Sequence, residues 1–162
     1  MKKIPIRQLI SPQQELPTIE RFKIRRVEDI LGDHDLMHDL HRHDFFFILA
    51  LKKGTGRHEI DFVEYRILDN SLFIIRPGQV HQLELNASCT GYLVEFNNEF
   101  YHPKDKSSNL RLRKASNKNY CELEVNRFNK LHAVLSLMFE ENAAREEGYQ
   151  DVIKSSLDIF FI

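Results

Sequence analysis

Nothing in this 162-residue chain is long and apolar enough to cross a bilayer as a helix, since no run approaches the ~20 residues that a span needs. Cysteine is almost missing. Cys89 and Cys121 are the only two, without CxxC or metal-ligand spacing, which excludes a disulfide framework and suits a reducing compartment. Charge of one sign is lacking as well: 23 Lys and Arg stand against 24 Asp and Glu, so no overall positive field draws in nucleic acid. Met1-Lys2-Lys3 begins like a signal peptide, but Ile4-Pro5-Ile6-Arg7-Gln8 brings no sustained apolar core behind it. There is no Gly-x-Ser-x-Gly elbow and no phosphate-cradling glycine loop, and no Ser-His-Asp or Cys-His arrangement stands out. The expectation is a cytoplasmic protein with no membrane partner, not an enzyme of the common nucleophilic classes.

What is present is apolar material for one core: 42% hydrophobic residues, twelve of them Phe. Residues 1–20 carry Pro5, Pro12 and Pro17 among polar neighbours, which predicts an extended N-terminal arm. Residues 21–105 read as β. Short apolar runs are punctuated by Lys53-Gly54-Thr55-Gly56, Asp69-Asn70-Ser71, Arg76-Pro77-Gly78 and Asn86-Ala87-Ser88, a spacing that argues for an antiparallel sandwich or barrel.

Parity refines this, because alternate residues of a strand face opposite sides. Over residues 41–52 one face carries His41, His43, Phe45, Phe47, Leu49 and Leu51, and the other is also apolar in its middle, so this strand should be central and buried. His58, Ile60 and Phe62 alternate with Arg57, Glu59 and Asp61, the pattern of a strand with one wet face.

Residues 106–162 read as a linker followed by two helices. Phe128, Leu131, Leu135 and Met138 recur at steps of three and four, predicting an amphipathic helix over about 122–145 whose stripe is a candidate dimerisation seam. Tyr149, Val152, Ile153, Leu157, Phe160 and Phe161 open a second helix that ends at Ile162 without a stop signal, so the natural chain is expected to continue. The basic stretch Arg111-Leu112-Arg113-Lys114, with Lys104, Lys106 and Lys118, has no aromatic interleaving and reads as a solvated loop.

The strongest chemical constellation is His41-Arg42-His43 followed by Pro77-Gly78-Gln79-Val80-His81. Two histidines at i and i+2 on a strand point the same way, and a third from a neighbouring strand completes a three-nitrogen face. This resembles the metal-site motifs of the cupin superfamily, but the position that the family fills with Glu holds Phe47, and Asp44 has the wrong parity to replace it. Three histidines and a water still suit zinc, yet the expectation is a metal-free barrel with no cofactor, lined by hydrogen-bonded imidazoles.

The departures point to a second likeness. His41-Arg42-His43-Asp44-Phe45, the Gly54-Thr55-Gly56 hairpin, His58-Glu59-Ile60-Asp61-Phe62, Leu72 to His81 and Gly91-Tyr92-Leu93-Val94-Glu95-Phe96, taken in this order, resemble the N-terminal domain of AraC-type transcription regulators. The resemblance implies a mainly β fold: a cupin-like antiparallel β-barrel (double-stranded β-helix) followed by two α-helices. It implies that the barrel senses a small-molecule effector, a sugar being the familiar class. The site would be lined by His41, His43, Phe45, Phe47 and His81, with the N-terminal arm as a lid. It also implies a homodimer formed through the helices, and DNA contact only through a C-terminal helix-turn-helix domain absent from this chain. The alternative is a small metal-dependent cupin enzyme, a dioxygenase or isomerase.

Overall fold

The turn residues divide the chain where the sequence pattern says they should, and the strands between them fold into two facing five-stranded sheets. The computed structural model describes residues 4–7 and 21–162. In chain order the strands are β1 (Ile6–Arg7), β2 (Phe22–Arg26), β3 (Leu36–His43), β4 (Phe46–Lys53), β5 (Gly56–Ile60), β6 (Val63–Ile67), β7 (Ser71–Ile75), β8 (Val80–Leu85), β9 (Thr90–Phe96) and β10 (Tyr120–Glu122). The helices are α1 (Val27–Leu31), α2 (Lys106–Asn117), α3 (Val125–Ala144) and α4 (Tyr149–Phe160). One sheet runs β1-β3-β8-β5-β6 and the other β10-β7-β4-β9-β2; every pairing is antiparallel except β1 with β3.

The alternation of β4 explains the layering. Phe47, Leu49 and Leu51 point between the sheets and meet Ile60, Phe73, Ile75, Leu83 and Leu85. Phe46, Ile48 and Ala50 point the other way, into a second core that α2, α3 and α4 cover with Leu112, Phe128, Leu135, Met138, Ile153 and Leu157. A strand apolar on both faces and paired on both edges is the one expected to lie centrally, and β4 sits between β7 and β9. None of the described helices is long and apolar enough to cross a membrane.

Four details differ from the sequence expectation. The run of residues 41–52 is two strands rather than one: it breaks at Asp44-Phe45, so β3 lies in one sheet and β4 in the other. Phe62 is not an inward strand residue. Asp61 and Phe62 both take left-handed φ (50° and 66°), closing a two-residue turn between β5 and β6 that leaves Phe62 exposed. The basic stretch is a helix, α2, because Asp105 caps it by accepting from Ser108 N–H at 2.9 Å and because Ser108, Leu112 and Ser116 form its inward face at steps of four. With one large apolar residue in that face, no apolar period marks it. The short α1 was not expected either; it buries Val27 and Leu31 in the core between the sheets. Of the N-terminal arm, Ile6–Arg7 form β1 and pair in parallel with β3; residues 1–3 and 8–20 lie outside the described residues.

Candidate functional site

Backbone irregularity places the histidines. Between His38 and His41 the register of β3 against β8 slips by one residue, a bulge that reverses the parity of the strand and turns His41 and His43 inward. His41 then pairs directly with His81 on β8. The far end of β3 is clamped by the second motif, where Gly78, at φ 90°, donates its N–H to the His43 carbonyl at 2.8 Å. Next to it, Asp61 accepts from Val80 N–H at 3.0 Å and from the Gln79 side chain at 2.7 Å, tying the start of β8 to the β5–β6 turn.

Four imidazoles meet as a result. Nε2 of His43 lies 2.7 Å from Nε2 of His41 and 2.9 Å from Nε2 of His81, while Nδ1 of His81 lies 2.8 Å from Nε2 of His58. Each of the four residues is at most 4% exposed. Phe45 packs on His43 with ring centroids 4.4 Å apart, and Phe47 lies 5.2 Å from the His43 ring and 5.0 Å from that of His81. The structure thus brings together all five residues of the expected barrel site and adds His58, which the sequence reading did not include. The signal was there: His58 sits on the inward parity of β5, the neighbour of β8 on the side away from β3.

Burial decides the charge of the cluster. Loss of solvation is the leading cause that pulls His43 and His58 down to about 3, and it also lowers His41 and His81; neighbouring imidazoles add to the shift of His43, His58 and His81, while at His41 the Arg7 charge lowers it further and Asp39 opposes it. All four are therefore neutral near pH 7, each with one N–H and one lone pair. The Asp39 carbonyl meets Nδ1 of His41 and so fixes that proton, turning the lone pair of His41 Nε2 toward His43. His43 Nε2–H then faces two lone-pair nitrogens, those of His41 and His81, with one proton. Among the described residues, Nδ1 of His43 and Nδ1 of His58 are buried with no partner.

This donor set can do two things. Nδ1 of His43 can hydrogen-bond an organic molecule that reaches it beside Phe45 and Phe47. Alternatively, His41, His43 and His81 bring three nitrogens within 4.8 Å of one another, a set that fits a divalent transition ion taking neutral imidazoles, with Asp39 and His58 orienting two of the rings from behind. Phe47 stands where a carboxylate ligand would complete the cupin set.

The expected seam on α3 is turned into the protomer. Phe128, Leu135 and Met138 are each no more than 1% exposed and belong to the core under the sheet, and Leu131 is half-buried at its edge.

A family model described as the AraC-like ligand binding domain matches residues 30–124, which take in β3 to β10 and every histidine of the cluster. The chain belongs to this family. Among solved structures, it is similar to apo ToxT from Vibrio cholerae at 15% identity and a TM-score of 0.51, over 87% of this chain and 53% of that one. It is also similar to the AraC-like transcriptional activator CuxR, at 12% identity and a TM-score of 0.43 over 86% of this chain and 47% of that one. A cupin protein from Bacteroides fragilis aligns at 14% identity and a TM-score of 0.35 over 59% of this chain and 93% of that one. At such identities the likeness to ToxT shows the fold alone, and the chain spans about half of the ToxT length. No curated protein matches the chain.

Proposed function

We propose that this chain is the effector-sensing and dimerising part of an AraC-type transcription regulator, acting on DNA through a helix-turn-helix domain carried elsewhere in the full protein. The observation that carries the sensing role is the cluster itself: four neutral imidazoles inside an apolar sandwich, two of them with an unsatisfied buried nitrogen. Leaving such a group unmet costs about 1–3 kcal/mol, which a bound molecule with matching polar groups recovers. Phe45 and Phe47 beside it suit the flat face of a ring, so a sugar or an aromatic molecule is the effector class to screen first. A thermal-shift screen of sugars, aromatics and small carboxylates tests this: a ligand at 100 times its Kd adds about 2.7 kcal/mol of stability. A hit that stabilises the His43→Ala chain as much as the parent removes the site from the sandwich.

A second reading, a metal-dependent cupin enzyme, is favoured by the convergence of His41, His43 and His81. Elemental analysis after purification without added metal separates the two. Stoichiometric zinc, iron, manganese or nickel, lost in His43→Ala, supports the second.

For the homodimer, α3 remains the proposed element, with a shifted contact. Since Phe128, Leu135 and Met138 serve the protomer, the seam moves to the flank that carries Arg127, Lys130, Leu131, Val134, Leu137 and Glu141. On this flank the cations lie toward the start and Glu141 toward the end. Two copies packed antiparallel about Val134 would set Arg127 against Glu141 of the second copy and Leu131 against its Leu137, about 21 Å of charge-matched helix at 1.5 Å per residue. The groove of about 680 Å³ alongside, floored by Leu72, Ile74, Leu123 and Phe160, supplies apolar surface for the same contact.

A further inference from the structure

We infer that α2 is a contact for the phosphate backbone of duplex DNA, a second electrostatic grip outside the DNA-reading domain. Six cations and one carboxylate lie between residues 104 and 118, in a chain whose formal charge is -1. Folding into a helix sorts them. Ser108, Leu112 and Ser116 face the sheet, and at 3.6 residues per turn Lys106, Leu110, Arg113 and Lys114 share the opposite, solvent face, all exposed. The single carboxylate, Asp105, is spent on the N-cap. Among the described residues none of Lys104, Lys106, Arg113, Lys114 or Lys118 forms an ion pair, whereas Arg21, Arg25 and Arg57 all do. The helix is also held in place. Asn117 at its end accepts from Arg76, next to β7, at 3.0 Å, and Ile74 N–H donates to Asn119 just beyond it at 3.1 Å. The charges are thus presented on a fixed rod rather than on a loose loop.

The composition selects the kind of polyanion. Residues 104–118 contain no aromatic side chain, so there is no platform on which single-stranded bases could stack. A helix lying on a membrane needs a broad apolar face to insert, but the solvent face of α2 has only Leu110, Leu112 being committed to the core. Exposed Lys and Arg with nothing to read bases is the make-up of sequence-independent phosphate contact. In the choice of DNA over other polyanions the inference rests on the function proposed above.

The test is fluorescence anisotropy of a labelled duplex of arbitrary sequence titrated with the 162-residue chain. With three phosphates neutralised, affinity should fall roughly 40-fold between about 50 and 200 mM salt. The triple reversal Lys106→Glu, Arg113→Glu, Lys114→Glu should abolish binding. If that variant does not fold, Lys106→Ala and Arg113→Ala each remove one exposed charge and should each lower the salt slope by about one. No binding by the parent chain at low salt, binding that survives the charge changes, or tighter binding to phosphatidylserine vesicles or polyglutamate than to the duplex overturns the inference. Such a failure leaves the effector screen and the dimer variants, which test the regulator reading, unaffected.

Discussion

His58 stands behind His81: its Nε2 lies 2.8 Å from Nδ1 of His81, inside the sandwich, and neither ring has contact with bulk water. Removing it strands a buried nitrogen and opens a cavity against Phe73, whose ring centroid is 4.6 Å away. His58→Ala should therefore destabilise the chain by about 2–4 kcal/mol, combining an unmet hydrogen bond with a lost buried side chain. Urea unfolding monitored by circular dichroism measures this; a change within 0.5 kcal/mol or so would mean that the ring is not packed as described.

Acid should unfold the domain earlier than its modest net charge suggests. Burial lowers the folded-state pKa of His43 and His58 to about 3, and of His41 and His81 as well, against an unfolded value near 6.5. The unfolded chain therefore binds more protons below pH 6.5, so stability is fully present above that pH and is lost as pH falls toward the folded values. Each imidazole kept neutral in the fold contributes a slope of about 1.4 kcal/mol per pH unit in this window. Denaturant midpoints at pH 7.5, 6.0 and 5.0 should fall steeply, and less steeply by one proton in His58→Ala. A flat profile from pH 7.5 to 5.0 would show that the cluster is already charged or hydrated.

Two leucines two positions apart on α3 should behave oppositely. Leu135 is fully buried, so Leu135→Glu places a carboxylate in the core and should unfold the protomer. Leu137 is 43% exposed, so Leu137→Glu should leave the fold intact and shift sedimentation toward the monomer. Arg127→Glu should weaken association, and adding Glu141→Arg should restore it, the signature of an antiparallel pair. A Leu137→Glu chain that sediments like its parent would move the interface off α3.

Much of this architecture was legible because burial writes a period into a strand. β4 could be recognised as central from Phe46 to Leu51 alone, and the inward faces of β5 and β8 from His58, Ile60, His81 and Leu83. What parity could not show was where it fails. The bulge after His38 resets the alternation, and the break at Asp44-Phe45 carries the chain from one sheet to the other while odd positions stay inward; neither is marked by glycine or proline. Helix α2 was hidden because two of its three inward positions are serine, and the stripe on α3 that reads as a dimer seam covers the protomer's own sheet, a use that periodicity alone does not distinguish from association. The histidine cluster was three-quarters visible; His58 was overlooked because it lies outside both halves of the metal-type motif, on a strand adjacent to one of them.

An organic effector should feel His43 more than His81. Both nitrogens of His81 are engaged, Nε2 with His43 and Nδ1 with His58, so it has little left to offer a ligand. Nδ1 of His43 is buried and unmet among the described residues, and the His43 ring is flanked by Phe45 and Phe47. An effector found by thermal shift should therefore lose about 1–3 kcal/mol of binding in His43→Ala, the cost of one buried hydrogen bond, and less in His81→Ala. Phe47→Leu should weaken a ring-bearing effector by about 0.5–1.5 kcal/mol beyond any change in packing, the value of an aromatic contact. Titration calorimetry on each folded variant gives the order. If His81→Ala costs more than His43→Ala, the effector has displaced His58 from His81, and the hydrogen bond between those two rings is the one that binding breaks.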